Sequence, residues 1–130
     1  MKKSFHLILF FLFFSTLAQA QTKALKADTV LTPTIQCDMC KTRIEQYLKR
    51  IDGVTYANVI VKRKYAVVKY LTDRTNSEVI KTAVANSGYD VAKKGADGQL
   101  EVEINANPDF YKLLPKCCKK PEDGGGMPKQ

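Results

Sequence analysis

Thr34-Ile35-Gln36-Cys37-Asp38-Met39-Cys40-Lys41-Thr42-Arg43-Ile44-Glu45 is the stretch on which the fold turns. Two thiols separated by two residues stand between an extended, β-biased segment and an amphipathic helical one. A helix N-terminus offers unpaired N–H groups and a partial positive charge, and both favour thiolate over thiol. At this spacing the two sulfurs can turn toward one soft metal ion, or close on each other as a disulfide. Zinc sites and redox enzymes share Cys-x-x-Cys, so its meaning rests on the segments around it.

Upstream, Thr29-Val30-Leu31-Thr32 is β-branched and aliphatic and is expected as the first strand, ended by Pro33. The polar residues 21–27 before it read as a linker. Downstream of Cys40, Ile44, Tyr47, Leu48 and Ile51 recur at helical spacing, and Asp52-Gly53 stops that helix. Val54 to Lys62 and Tyr65 to Tyr70 then predict a hairpin turning at Arg63-Lys64. Thr75 and Glu78 have the spacing of a capping box before a second helix carrying Val79, Ile80, Ala83 and Val84, which Ser87-Gly88 ends. Tyr89 to Ala92 starts a fourth strand. The order is that of a split βαβ unit: an α+β, ferredoxin-like βαββαβ fold with an antiparallel sheet and both helices on one face.

Residues 95–115 exceed what that unit needs and form a C-terminal extension. Leu100, Val102 and Ile104 alternate with Glu101 and Glu103 as a further strand after the Asp97-Gly98 turn. Asn107-Pro108 starts a short helix carrying Phe110, Leu113 and Leu114, closed by Pro115. Residues 116–130, with Cys117-Cys118 and three consecutive glycines, read as a flexible tail.

At the other end, Met1-Lys2-Lys3, an apolar run from Phe5 to Ala18 and Ala18-Gln19-Ala20 form a signal-peptide pattern over residues 1–20, cleaved after Ala20. The run is short of the ~20 residues a spanning helix needs, so no stable membrane anchor is expected. Removing those 20 residues, Lys2 and Lys3 among them, from 130 leaves 110 and lowers the formal net charge of +8 by two. That length suits one small domain with a modest core, and the expected location is periplasmic or secreted. A basic balance can mean nucleic acid, anionic lipid or an acidic protein partner; export argues against nucleic acid. Four cysteines in an oxidising compartment also admit two plain disulfides.

Taken together, Cys37-x-x-Cys40 after the first strand, Asp52-Gly53-Val54 after the first helix, Val68-Lys69-Tyr70 in the hairpin and Ser87-Gly88-Tyr89 after the second helix carry a resemblance. Over residues 28–94 the chain resembles the heavy-metal-associated domain family, which includes small copper chaperones, the N-terminal modules of metal-pumping P-type ATPases and a periplasmic mercury-binding protein. Where that family has Gly-Met-Thr before the first Cys, this chain has Thr34-Ile35-Gln36, with Ile35 able to fill the site of the buried Met. Asp38 and Met39 stand between the cysteines in place of small residues.

The resemblance implies a non-enzymatic carrier in which Cys37 and Cys40 hold one soft ion, Cu(I) first, with Hg(II), Zn(II) or Cd(II) as alternatives. It implies a metal-transporting ATPase domain, or another metal-receiving protein with an acidic docking face, as the partner. Lys41, Arg43 and Lys49 are candidates for the matching basic patch, and equally for a solvated helix face. Tyr89 is implied to sit beside the metal loop. Asp38 can add an oxygen ligand or simply complement the helix dipole. Met39 can offer a thioether or merely pack. His6, the chain's one histidine, belongs to the signal peptide, which removes most catalytic metal sites and general-base mechanisms.

Cys117 and Cys118 are not required by that family pattern. A return strand of ~16 Å and a two-turn helix adding only ~10 Å bring them back toward the Cys37–Cys40 loop. They are expected as an accessory thiolate lid, or as disulfide partners of Cys37 or Cys40, in preference to a strained Cys117–Cys118 bridge or a hanging tail that traps metal alone. Two rival functions use the same residues. A thiol–disulfide oxidoreductase would employ Cys37 and Cys40, but the order of elements is not that of thioredoxin and no Trp precedes Cys37. An RRM-like RNA-binding module shares the fold, yet Lys64 and Val67 replace the glycine and the stacking aromatic of its RNP1 motif.

Overall fold

The computed structural model describes residues 24–126, and the expected signal peptide, residues 1–20, lies outside them. Strand β1 (Leu25–Leu31) is followed by helix α1 (Asp38–Lys49), strands β2 (Val54–Ile60) and β3 (Tyr65–Leu71), helix α2 (Ser77–Asn86) and strand β4 (Val91–Lys94). Strand β5 (Leu100–Ile104) and the short helix α3 (Pro108–Lys112) extend this unit. The sheet order is β2-β3-β1-β4-β5, and every neighbouring pair is antiparallel. This is the expected α+β split βαβ arrangement, with one strand added at its edge.

The central strand is longer than expected. Leu25, Lys26 and Ala27, read from sequence as part of the 21–27 linker, pair with Leu71, Tyr70 and Lys69. Their side chains are exposed, so no hydrophobic alternation marks them. What holds them is the need of the β3 backbone for hydrogen-bond partners on its second side. In the hairpin, β2 stops at Ile60, short of the expected Lys62; Val61–Arg63 forms a 3-10 turn, and Lys64 takes the left-handed conformation at φ 58°. Lys64 then fixes the loop after β1: its carbonyl accepts from Thr32 N at 2.8 Å, and its ammonium donates to the Ile35 carbonyl.

The apolar periods of the two helices converge on one core. Cys40, Ile44 and Leu48 of α1 and Ile80 and Val84 of α2 meet Val30, Val59, Ala66, Val68, Tyr70 and Val91 from the sheet. Ile35 is fully buried there, as its proposed substitution for a buried Met requires. The cap of α2 differs from the expected Thr75–Glu78 box. Asn76 is the N-cap, accepting from Val79 N at 3.0 Å, because Thr75 N is already committed to Leu71 O at 3.1 Å in the turn leaving β3.

The extension docks on the end of α2. Asn107 donates from its backbone N to Ala85 O at 2.9 Å and from its side chain to Asn86 at 3.1 Å. Leu114 is buried against Gly88, whose φ of +100° and lack of Cβ leave the room; a Cβ there would lie 3.2 Å from Leu114. The segment read as a flexible tail is folded as far as residue 126. Lys116–Cys118 and Pro121–Asp123 form 3-10 turns, and Gly126 N reaches Lys116 O at 3.2 Å. Gly124, at φ 73°, ends the second turn in the left-handed conformation, so a glycine that suggested looseness closes a turn.

Candidate metal centre

Cys37 is the N-cap of α1, with an extended backbone and no side-chain cap bond, and Cys40 lies in the first turn. The helix begins at Asp38, so both sulfurs lie at its positive end, as the sequence reading placed them. Their Sγ atoms are 3.3 Å apart. Cys40 is fully buried and Cys37 is 9% exposed.

The path of β5 and α3 brings the other two thiols to the same point. Cys37 Sγ lies 3.6 Å from Cys117 Sγ and 3.5 Å from Cys118 Sγ, and Cys117 and Cys118 are 3.9 Å apart at sulfur. The Cys37, Cys117 and Cys118 sulfurs could together hold a metal ion. All four cysteines are free thiols, so the cross-disulfides and the Cys117–Cys118 bridge are not formed here. Cys118 is 1% exposed and Cys117 half-buried. Burial, and then the neighbouring Cys40 sulfur, push the Cys118 thiol well above the ordinary thiol range.

Tyr89 borders this cluster. It is fully buried, and its hydroxyl has no hydrogen-bond partner of normal geometry. Burial first, and then the Cys40 and Cys118 sulfurs beside it, push the phenol far up. A neutral O–H facing sulfur is a donor waiting for an acceptor, and a thiolate is a better acceptor than a thiol. Met39 is 56% exposed and brings its thioether sulfur to 3.7 Å from Cys117 Sγ. Asp38 is exposed in the first turn of α1, where its carboxylate complements the dipole; with Met39, Arg43 and Pro115 it lines a surface cleft.

Of the candidate basic patch, Arg43 is tied into the protein, whereas Lys41 and Lys49 keep exposed side chains with long contacts to Glu45. Arg43 Nε donates to Ser87 O at 2.8 Å, while Lys41 and Lys49 flank Glu45 at 3.8 and 3.9 Å. Residues that the sequence did not single out hold residues 115–126 over the sulfurs. Gln36 Nε2 donates to Lys119 O at 2.6 Å. Lys120 Nζ pairs with the buried Asp90 at 2.8 Å, and its backbone N donates to the Tyr111 hydroxyl at 2.8 Å. The signal available in sequence was Pro115, a helix stop that turns the chain immediately before the second thiol pair.

The profile described as heavy-metal-associated domain matches residues 29–90. The chain is 34% identical over 64 residues to the mercuric transport protein periplasmic component of Shewanella putrefaciens, a match covering 49% of this chain and 70% of that one. It is 35% identical over 57 residues to the copper chaperone CopZ of Staphylococcus haemolyticus, covering 44% and 84%. Among solved structures it resembles the N-terminal domain of a potential copper-translocating P-type ATPase from Bacillus subtilis in the Cu(I)-loaded state. That likeness has TM-score 0.51 and 25% identity, and covers 65% of this chain and all of that one. Residues 29–90 contain Cys37 and Cys40 and stop short of Cys117 and Cys118.

Proposed function

Since the chain belongs to the heavy-metal-associated domain family, we propose that it is an exported carrier or scavenger of one soft metal ion, Cu(I) first and then Hg(II), Zn(II) or Cd(II). Cys37 and Cys40 hold the ion as thiolates, and it passes on by ligand exchange. The observation that carries this reading is the pair of sulfurs 3.3 Å apart at the N-terminus of α1. Thiolate is a soft ligand, and the nearest groups supply sulfur rather than the carboxylate or imidazole that hard or borderline ions prefer. An incoming thiolate can add to the ion before an old one leaves, so a tight site still exchanges. No bond in an organic substrate is made or broken, and the protein acts as a binder rather than an enzyme.

A metal-transporting ATPase domain, or another receiving protein with an acidic face, is the proposed partner, supported by the likeness to an ATPase domain of known structure. Export rests on the residues 1–20 pattern; protein recovered from the native host should begin at Gln21. The central test is anaerobic titration of the reduced full chain with Cu(I). One ion per chain is expected, lost in Cys37→Ser/Cys40→Ser while the far-ultraviolet circular dichroism is unchanged. High-affinity uptake in the double variant would place the site elsewhere, and loss of fold would make the pair structural.

A further inference from the structure

We propose that Cys117 and Cys118 join Cys37 in a three-thiolate site for the same soft cation, closed by the strap of residues 115–126 and reopened to the Cys37–Cys40 pair when the strap lifts. The inference rests on the carrier reading above and concerns how its site is gated.

Geometry is the first support. The three sulfurs form a triangle with sides of 3.5, 3.6 and 3.9 Å. A point equidistant from them lies about 2.1 Å from each, close to the ~2.3 Å of a zinc–thiolate bond. A few tenths of an ångström of movement therefore completes a trigonal site. Cys37 belongs both to this triangle and to the pair with Cys40, so an ion can pass between the two sets without leaving Cys37.

Access is the second support. Cys118 and Cys40 are at most 1% exposed, so while the strap is down a thiolate on another protein can approach the ion only past the half-buried Cys117. Three separate ties keep it down: Gln36 to Lys119, Lys120 to Asp90 and Leu114 against Gly88. The third support is the unpartnered Tyr89 hydroxyl buried beside the cluster. A lone buried donor normally costs free energy, and ionised sulfur on a bound cation supplies its missing acceptor.

The exchange balances without redox chemistry. On loading, each ligating thiol gives its proton to solvent as a metal–sulfur bond forms. On transfer, a partner thiolate bonds the cation, a strap sulfur–metal bond breaks, and the freed thiolate takes up a proton. The ion keeps its charge throughout, and soft d10 cations accept two or three sulfurs alike.

The test is X-ray absorption on the Cu(I)-loaded, reduced full chain and on Cys117→Ser/Cys118→Ser, with extraction by a competing copper chelator timed in both. Three sulfurs in the parent, two in the variant and at least tenfold faster extraction from the variant are expected. Lys120→Glu retains every sulfur and sets like charges against Asp90, so it should keep three sulfurs and still release faster. Two sulfurs in both parent and strap variant, or equal extraction from all three proteins, would overturn the gate while leaving the two-thiolate carrier standing. Failure of the parent to take up Cu(I) would remove both readings.

Discussion

Cys37 and Cys118, 81 positions apart in sequence, lie with their sulfurs 3.5 Å apart. Because Cys37 also touches Cys40 and Cys117, the two cysteines of the Cys-x-x-Cys motif are not equivalent. Cys37→Ser should cost Cu(I) affinity severely, by roughly 100-fold or more, a loss of about 2.8 kcal/mol at a factor of ten per 1.4 kcal/mol. Cys40→Ser should cost clearly less, because the triangle around Cys37 survives. Competition titrations on both variants check this, and equal losses would contradict it.

The raised Cys118 thiol sets a pH dependence on the metal-free protein. Its folded state holds the proton more tightly than the unfolded chain does, because burial disfavours the thiolate. The associated stability is therefore complete below the ordinary thiol value of 9.0 and declines as pH rises above it. Denaturant titrations of the reduced apo protein between neutral pH and pH ~10 should show that decline, and Cys118→Ala should flatten it.

Leu114 and Gly88 hold the strap from below. Leu114→Ala empties a buried site and should destabilise by about 2–3 kcal/mol, the lower part of the range for such truncations. Gly88→Ala combines a φ of +100° with a new Cβ 3.2 Å from Leu114 and should cost about 1–3 kcal/mol. In both, Cys118 should become open to alkylation under conditions where the core stays folded. Protection of Cys118 equal to that in the parent would show that Leu114 does not hold the strap.

At the start of α2, Asn76→Ala should lose about 1 kcal/mol with the cap. Thr75→Val should be neutral or stabilising, since Thr75 Oγ1 is buried without a partner and its replacement by a methyl removes an unsatisfied group. Thermal unfolding of the two variants separates them; a larger loss at Thr75 would restore the capping box.

The sequence makes the six-element unit readable because its apolar periods are long. Ile44 and Leu48 at helical spacing, and Val59, Ala66 and Val68 in the hairpin, are all core residues. Strand alternation likewise revealed β5, whose range Leu100–Ile104 matches the expectation. Leu25–Ala27 stayed hidden because backbone pairing alone recruits them, with no buried side chain to leave a pattern. Residues 116–126 were misread for a related reason. Lysines and glycines look soluble and loose, whereas a few specific bonds, such as Lys120 to Asp90 and Gln36 to Lys119, fix them. Ties between residues 30 or more positions apart have no local signature. The approach of Cys117-Cys118 to the loop was legible only because strand and helix lengths could be added along the path.

Strand β5 also alters how this molecule meets copies of itself. Without it, β4 would present an open row of N–H and C=O groups, a template for joining another sheet. With β5 in place that row is satisfied, and the new outer edge carries Glu101 and Glu103, paired with Lys93 at 3.9 Å and Lys81 at 2.9 Å. Leu100 and Val102 remain about half exposed on the same strand, so these glutamates act as gatekeepers against edge-to-edge aggregation. Neutralising both would therefore be expected to shorten the time the concentrated protein stays in solution, even with every thiol intact.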